Sequence, residues 1–242
     1  MILVENVHKR FGDKVAVEDV SFVAEDGAVT GLLGPNGAGK TTTLRMLYSL
    51  IVPDRGRAVV DGIDVAQDPA AARARIGVLP DAKGLYPRLT VREHLRYFGR
   101  LHGLWGRALE ARIDALVELL ELKELIHRRT EGFSQGERMK VAIARALVHD
   151  PKNVLLDEPT NGLDVMSTRA MRALIRRLRE QGTTVLFSSH VMQEVSALCD
   201  RIVIVAHGRV VADGTPAELL ERTGHHSLED AFVQLVGIEG PA

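Results

Sequence analysis

Two hydrophobic periods alternate along the chain. Runs rich in aliphatic and β-branched residues occur at Ile2–Asn6, Val15–Val23, Ala28–Leu33, Ala58–Asp61, Ile76–Leu79, Asn153–Asp157, Thr183–Ser188, Arg201–Ala206 and Arg209–Asp213, and each reads as a strand. Asn153–Asp157 and Thr183–Ser188 are near-continuous apolar runs, as strands covered on both faces should be. Stretches of helical spacing lie between many of these runs, such as Leu44, Met46, Leu47 and Leu50. The alternation predicts an α/β fold with a parallel sheet. It also predicts an antiparallel patch at the N-terminus and another near the C-terminus.

The pattern changes from about residue 83 to 150. No strand is evident there, and Ile113, Leu116, Val117, Leu120 and Leu122 repeat with helical spacing within Ala108–Leu125. Gly84, Pro87 and Gly103 punctuate the entry. The expected organisation is an α/β core from 1–82 and 151–222, an inserted helical subdomain at 83–150, and a tail at 223–242 with a short helix near Leu228–Val236. Neither internal repeats nor low-complexity segments interrupt it.

Composition narrows the field. With 242 residues and 45% hydrophobic content the chain can bury a sizeable core. A net charge of −1 argues against bulk attraction to nucleic acid or anionic lipid. The single cysteine, Cys199, excludes an internal disulfide, fits a reducing compartment and reads as a small buried residue. The start MILVENVHKRFG lacks the apolar core of a signal peptide, and no apolar run approaches the ~20 residues that span a bilayer. A membrane role would therefore come through a partner.

Two tracts carry chemistry. Gly34–Thr41 reads GPNGAGKT, a full match to the phosphate-loop pattern, between a predicted strand and a predicted helix. Gly34, Gly37 and Gly39 let the backbone turn its N–H groups toward phosphate oxygens around Pro35, Asn36 and Ala38. The helix N-terminus adds its dipole. Lys40 can reach the outer phosphates, the Thr41 hydroxyl can bind Mg²⁺, and Thr42 can bond a phosphate. A Gly-rich turn matching by chance is excluded by this context and by the second tract.

That tract, Phe133–Asp164, opens a helix with Ser134, Gln135, Gly136 and Glu137. It then enters a buried strand ending in Asp157 and Glu158, and closes on the loop Asn161–Asp164. Two adjacent acids closing an apolar run are not ordinary strand-end acids. The first can serve a metal and the second a water.

With GPNGAGKT, FSQGE, NVLLDEP, NGLD and FSSH in this order, the chain resembles the ATP-binding subunit of ABC transporters over essentially its whole length. The resemblance implies a P-loop NTPase (RecA-like) core with an antiparallel β subdomain and an inserted α-helical subdomain. It implies ATP and Mg²⁺ as ligands, with Asp157 on the metal and Glu158 as catalytic base. His190 resembles the switch histidine at the γ-phosphate, although a lone His is usually structural. Phe11 stands where an aromatic stacks on adenine, although by itself it reads as core. Asp164 belongs to the loop between the two sites or caps the following helix, or both. Ser134 and Gly136 would grip ATP bound to a second copy.

The resemblance further implies a homodimer, or a pair with a similar ATPase subunit, serving a separate multi-span membrane permease. That places the chain on the cytoplasmic face of the membrane, peripheral through its partner, with no direct nucleic-acid contact. LPDAKGLYPRLTVREHL and FSQGERMKVAIARALVHDP look most like single-domain ATPases paired with exporter-type subunits, and among these the Nat-type sodium-extrusion ATPases. A soluble ABC ATPase acting on ribosomes or DNA is the alternative, but the chain has neither a coiled-coil insertion nor a second ATPase unit. A P-loop kinase or GTPase leaves FSQGE unexplained.

The chain departs from the family twice. Gln135 and Glu137 replace residues of the usual Leu-Ser-Gly-Gly-Gln, and Glu137 is expected to compete with the triphosphate. Asp81 stands at the hinge position that normally holds a Gln touching Mg²⁺. A carboxylate there ligates Mg²⁺ well and repels phosphate when the metal is absent.

Tyr86 and Leu89 are expected to line the groove for the membrane subunit, with Tyr97 and Phe98 in the subdomain core. Arg92, Arg96 and Arg100 read as a solvated helix face. His225 and His226, without further ligands, read as loop.

Overall fold

The computed structural model describes residues 1–81 and 84–237. In chain order it contains β1 (Ile2–Phe11), β2 (Lys14–Ala24), β3 (Val29–Leu33), α1 (Lys40–Leu47), β4 (Arg55–Val60), β5 (Ile63–Asp64), α2 (Pro69–Ala74) and β6 (Ile76–Leu79). Next come α3 (Val91–Leu101), α4 (Gly106–Leu119), α5 (Gln135–Leu147), β7 (Asn153–Asp157), α6 (Val165–Glu180) and β8 (Thr184–Ser189). The chain finishes with α7 (Met192–Leu198), β9 (Arg201–Ala206), β10 (Arg209–Gly214), α8 (Pro216–Thr223) and α9 (Leu228–Val236).

The strands form one sheet in the order β5-β4-β1-β2-β10-β9-β3-β8-β7-β6. From β9 to β6 every neighbouring pair is parallel, whereas β4, β1 and β2 pair antiparallel, as do β9 and β10. The expected α/β fold with two antiparallel patches is therefore present. β3, β7 and β8 are buried at every residue, which is why their sequences carry apolar side chains on both faces.

Successive residues of these strands feed different cores. Leu33, Leu156 and Phe187 join the cluster under α3–α6, while Leu32, Leu155 and Leu186 join the cluster under α1 and the antiparallel patch. The two-residue period of a strand thus makes the sheet the wall between two cores. Phe187 is among the largest fully buried side chains, and its truncation to Ala would cost about 3–5 kcal/mol.

Residues 84–150 carry α3, α4 and α5 with no named strand; the expected subdomain start at residue 83 and the tail beyond Gly237 lie outside the described residues. Several expected boundaries move. β1 runs on to Phe11, because its far half still pairs with both β2 and β4. α4 stops at Leu119; Leu122 and Leu125 stay buried but lie outside any helix, after Glu121 adopts φ +54°.

The arginine row is not a free solvated face. Arg92 pairs with Glu110 at 2.8 Å and Asp114 at 2.7 Å, Arg96 with Glu110 at 2.6 Å, and these pairs tie α3 to α4. Tyr97 is 45% exposed and Tyr86 48%. The expectation of Tyr97 in the core fails because it points outward, edge-on to Tyr86 and Phe98. Phe98 itself is partly buried against the core. Cys199 is buried, and burial pushes its thiol pKa up. Among the described residues no helix is long and apolar enough to cross a membrane.

Candidate active site

The site lies at the carboxyl ends of the parallel strands, where α/β sheets bind ligands. Strand register brings its parts together. Leu33 pairs with Ser189, Asp157 with Ser188 and Leu79 with Leu156. The residues just beyond each strand therefore converge, namely Gly34, Glu158, His190 and Asp81. Of these, Glu158, His190 and Asp81, together with residues 36–42, Lys14, Ala16 and Asn161, line a cleft of about 450 Å³.

The phosphate loop is held open by close backbone packing. A Cβ at Gly34 would sit 2.1 Å from the Val205 carbonyl oxygen, and Gly39, at φ +106°, approaches the Ala16 carbonyl. Lys40 is buried and folds back, donating to the carbonyls of Gly34 at 2.7 Å and Pro35 at 3.1 Å. Its Nζ also lies 3.5 Å from Glu158. Burial lowers its pKa, and the Glu158 charge opposes that shift.

Asp157 is buried at the end of β7. Its Oδ1 accepts hydrogen bonds from Ser188 Oγ at 2.7 Å and Thr41 Oγ1 at 3.0 Å. Its Oδ2 is buried and, among the described residues, has no hydrogen-bond partner. Desolvation raises the pKa of this carboxyl. An orphaned carboxylate oxygen beside a threonine hydroxyl is a hard-oxygen donor set that fits Mg²⁺. Thr41 and Asp157, with the exposed cleft residue Asp81, are the candidates to hold it.

Glu158 has φ +49°, in the left-handed region that non-glycine residues adopt at some cost. Its backbone N–H donates to Ser188 Oγ at 2.9 Å. Its carboxylate lies 2.8 Å from His190 Nδ1. The strained turn thus aims a carboxylate, only 15% exposed, into the phosphate cleft between an ammonium and an imidazole.

The second group of expected site residues does not border this cleft. Ser134, Gln135, Gly136, Glu137 and Asp164 line a separate hollow of about 270 Å³. Within one chain the phosphate loop and the Ser-x-Gly segment therefore line two different hollows. Phe11 is 50% exposed and so not in the core, and it pairs in register with Lys14, a residue of the cleft lining.

The expected competition of Glu137 with phosphate meets a local counterweight. Ser134 caps α5, accepting from Glu137 N at 3.2 Å, while the Glu137 carboxylate accepts from Ser134 N at 2.8 Å. This capping box occupies the charge, and Arg128 pairs with it at 3.2 Å. The Ser134 backbone bond lowers the Glu137 pKa. Gln135 is tied as well, its Nε2 donating to the Asn161 carbonyl at 3.1 Å. Asp164 caps α6 by accepting from Ser167 N at 2.8 Å. The cleft lining also includes Lys14 and Ala16, which no local pattern in the sequence singles out.

A phosphate loop closing one parallel strand, with two adjacent carboxylates ending another, defines a P-loop nucleoside triphosphatase on a RecA-like core. Residues 17–161 match the family model described as ABC transporter, and the chain belongs to that family. It is 46% identical over 238 residues to the ABC transporter ATP-binding protein NatA of Bacillus subtilis (strain 168), spanning 96% of this chain and 97% of the relative. It is 43% identical over 216 residues to the Nod factor export ATP-binding protein I of Burkholderia lata, covering 89% of this chain and 71% of that one.

Among solved structures, an ATP binding subunit of an ABC transporter superposes with a TM-score of 0.89 at 31% identity, over 97% of this chain and 99% of the other. The dimeric post-hydrolysis state of the ATP-binding cassette MJ0796 with ADP and Pi gives 0.80 at 26% identity, over 89% and 98%. The chain is an ATP-binding ATPase of the ABC-transporter family.

Proposed function

We propose that two copies of this chain, or one copy and a similar ATPase subunit, close around two ATP molecules. The phosphate loop of one copy and Ser134, Gln135, Gly136, Glu137 and Asp164 of the other enclose each ATP. Phe11 stacks on adenine, residues 34–42 hold the phosphates, and Lys40 leaves its carbonyl partners for the outer phosphates. Thr41, Asp157 and Asp81 hold Mg²⁺, which when bound neutralises charge developing on the phosphates. Glu158 orients the attacking water and accepts its proton, and His190 contacts the γ-phosphate.

Closure drives a separate multi-span permease, placing the chain on the cytoplasmic face of the membrane. Tyr86 and Leu89, beside α3, receive that partner. Export is the favoured direction, supported by the Nod factor export relative, and sodium is the favoured cargo from the Nat-type resemblance. The observation that carries the two-copy reading is the split site, with Glu158 facing Lys40 and His190 while Ser134 and Gly136 line a different hollow.

Glu158→Gln tests it. ATP should stay bound unhydrolysed, and gel filtration with ATP should show twice the monomer mass. Co-purification in detergent with a multi-span membrane protein supports the transporter role, whereas co-sedimentation with ribosomes or DNA would favour the soluble alternative.

A further inference from the structure

The catalytic edge is braced from behind by a buried carboxylate. Glu194, in α7, is 5% exposed. One of its oxygens, Oε2, accepts two hydroxyl hydrogen bonds, from Thr160 Oγ1 at 2.5 Å and from Ser189 Oγ at 3.2 Å. Among the described residues no Lys or Arg pairs with it. A buried carboxylate is costly unless its bonds are well made, so its place here calls for a reason.

The two donors flank the reacting groups. Thr160 follows Glu158 by two residues, and Ser189 immediately precedes His190. Ser189 also accepts from Val191 N at 2.9 Å through its hydroxyl, and from Gly34 N at 3.3 Å through its carbonyl. Glu194 therefore joins the loop after β7, the end of β8 and, through Ser189, the start of the phosphate loop. Between these anchors sits Glu158 at φ +49°. Such a conformation persists only where its surroundings over-determine it. Ser188 fixes it on one side, at the Glu158 N–H, and the Thr160–Glu194 bond fixes the chain on the other.

We propose that Glu194 is a positioning residue for ATP hydrolysis, whose buried carboxylate ties the Glu158 loop to the His190 strand end and holds those two side chains in register. The proposal rests on the roles given to Glu158 and His190 under Proposed function. Glu194 is not among the cleft's lining residues and its own bonds go to Thr160 and Ser189, not to the phosphate loop, so its removal should act on turnover far more than on nucleotide binding. Both hydroxyls bond the same oxygen, so a Gln side-chain carbonyl can replace it.

Steady-state ATP hydrolysis by the purified full chain tests this. Glu194→Ala should lower kcat about a hundredfold, the scale of a misplaced catalytic group. KM for ATP should stay within about twofold. Glu194→Gln should recover kcat to within about tenfold of the native chain. Thr160→Val should reproduce part of the loss and add little to it in the double variant. Native kcat in Glu194→Ala overturns the proposal, as do equal losses of kcat and ATP affinity, or a Gln variant as slow as the Ala variant. If Glu194→Ala does not fold, Thr160→Val decides, a reduced kcat at unchanged KM supporting the proposal and native kcat overturning it. Glu158→Gln run in parallel separates the readings. Full turnover there sinks the assignment of Glu158, whereas an inactive Glu158→Gln beside a native-rate Glu194→Ala sinks only the role of Glu194.

Discussion

Glu158 and His190 meet at 2.8 Å, Oε2 to Nδ1, across the ends of two neighbouring parallel strands. Neither residue reaches the other through local sequence, since 32 positions separate them. The pairing of Asp157 with Ser188 sets the contact, and the left-handed turn at Glu158 completes it.

Replacing this carboxylate isolates its chemistry. Glu158→Gln keeps the shape and removes the proton acceptor, so kcat should fall by about 10²-fold or more. ATP affinity should persist, because the phosphate loop keeps its shape and Lys40, though it loses its Glu158 ion pair, keeps its bonds to the Gly34 and Pro35 carbonyls. Quenched-flow hydrolysis and equilibrium nucleotide binding check the two halves. A monomer that binds ATP yet never doubles its mass would count against the shared site.

The phosphate loop should tolerate no side chain at Gly34. A methyl there meets the backbone carbonyl of Val205 at 2.1 Å, and a strand carbonyl cannot swing aside. Gly34→Ala should destabilise the fold by about 1–3 kcal/mol and weaken ATP binding sharply. Thermal unfolding with and without ATP reads both effects; an unchanged ATP-induced shift would refute the expectation.

Asp81 should make activity unusually dependent on Mg²⁺. Its carboxylate lines the cleft with Glu158, so without metal it adds repulsion toward phosphate, and with metal it becomes a ligand. In Asp81→Gln the Mg²⁺ titration of ATP hydrolysis should flatten, with weaker half-saturation by metal and weaker inhibition by its removal. An identical titration curve would rule this out.

Mild acid should destabilise the helical layer through His94. This imidazole is fully buried, and among the described residues neither ring nitrogen has a hydrogen-bond partner. It packs on Tyr86 and Phe98, and burial, reinforced by the Arg145 charge, lowers its pKa to about 4. The unfolded chain takes up the proton near pH 6.5. Between those values the unfolded state holds more protons, so stability falls as pH drops from about 6.5 toward 4. His94→Phe should remove on the order of 1–3 kcal/mol of this acid sensitivity, read as a smaller drop in Tm between about pH 7 and pH 5. Equal Tm losses in both proteins would refute it.

Legibility in the sequence tracked the range of the interactions involved. β6, β7, β9 and α9 appear at the boundaries their patterns predict, because continuous apolar runs and helical spacing are local signals. β4 begins earlier than Ala58 and the two-residue β5 was not foreseen. Their polar residues are strand only through pairing with β1 and with each other. Tyr97 was misplaced because an amphipathic period shows which residues share a face, not which of the aromatics at its border is left in solvent.

By itself the sequence determined the chemistry: a phosphate loop, a strand ending in two acids and a Ser-x-Gly helix start, each a contiguous motif whose backbone geometry follows from its own residues. Only the tertiary structure decided how these parts meet. It put Glu158 against Lys40 and His190, left Asp157 Oδ2 without a partner among the described residues, folded Glu137 into a capping box and placed Glu194 behind the site. Strand register and burial set these relations, and both arise from pairings between residues far apart in the chain, which no local pattern encodes.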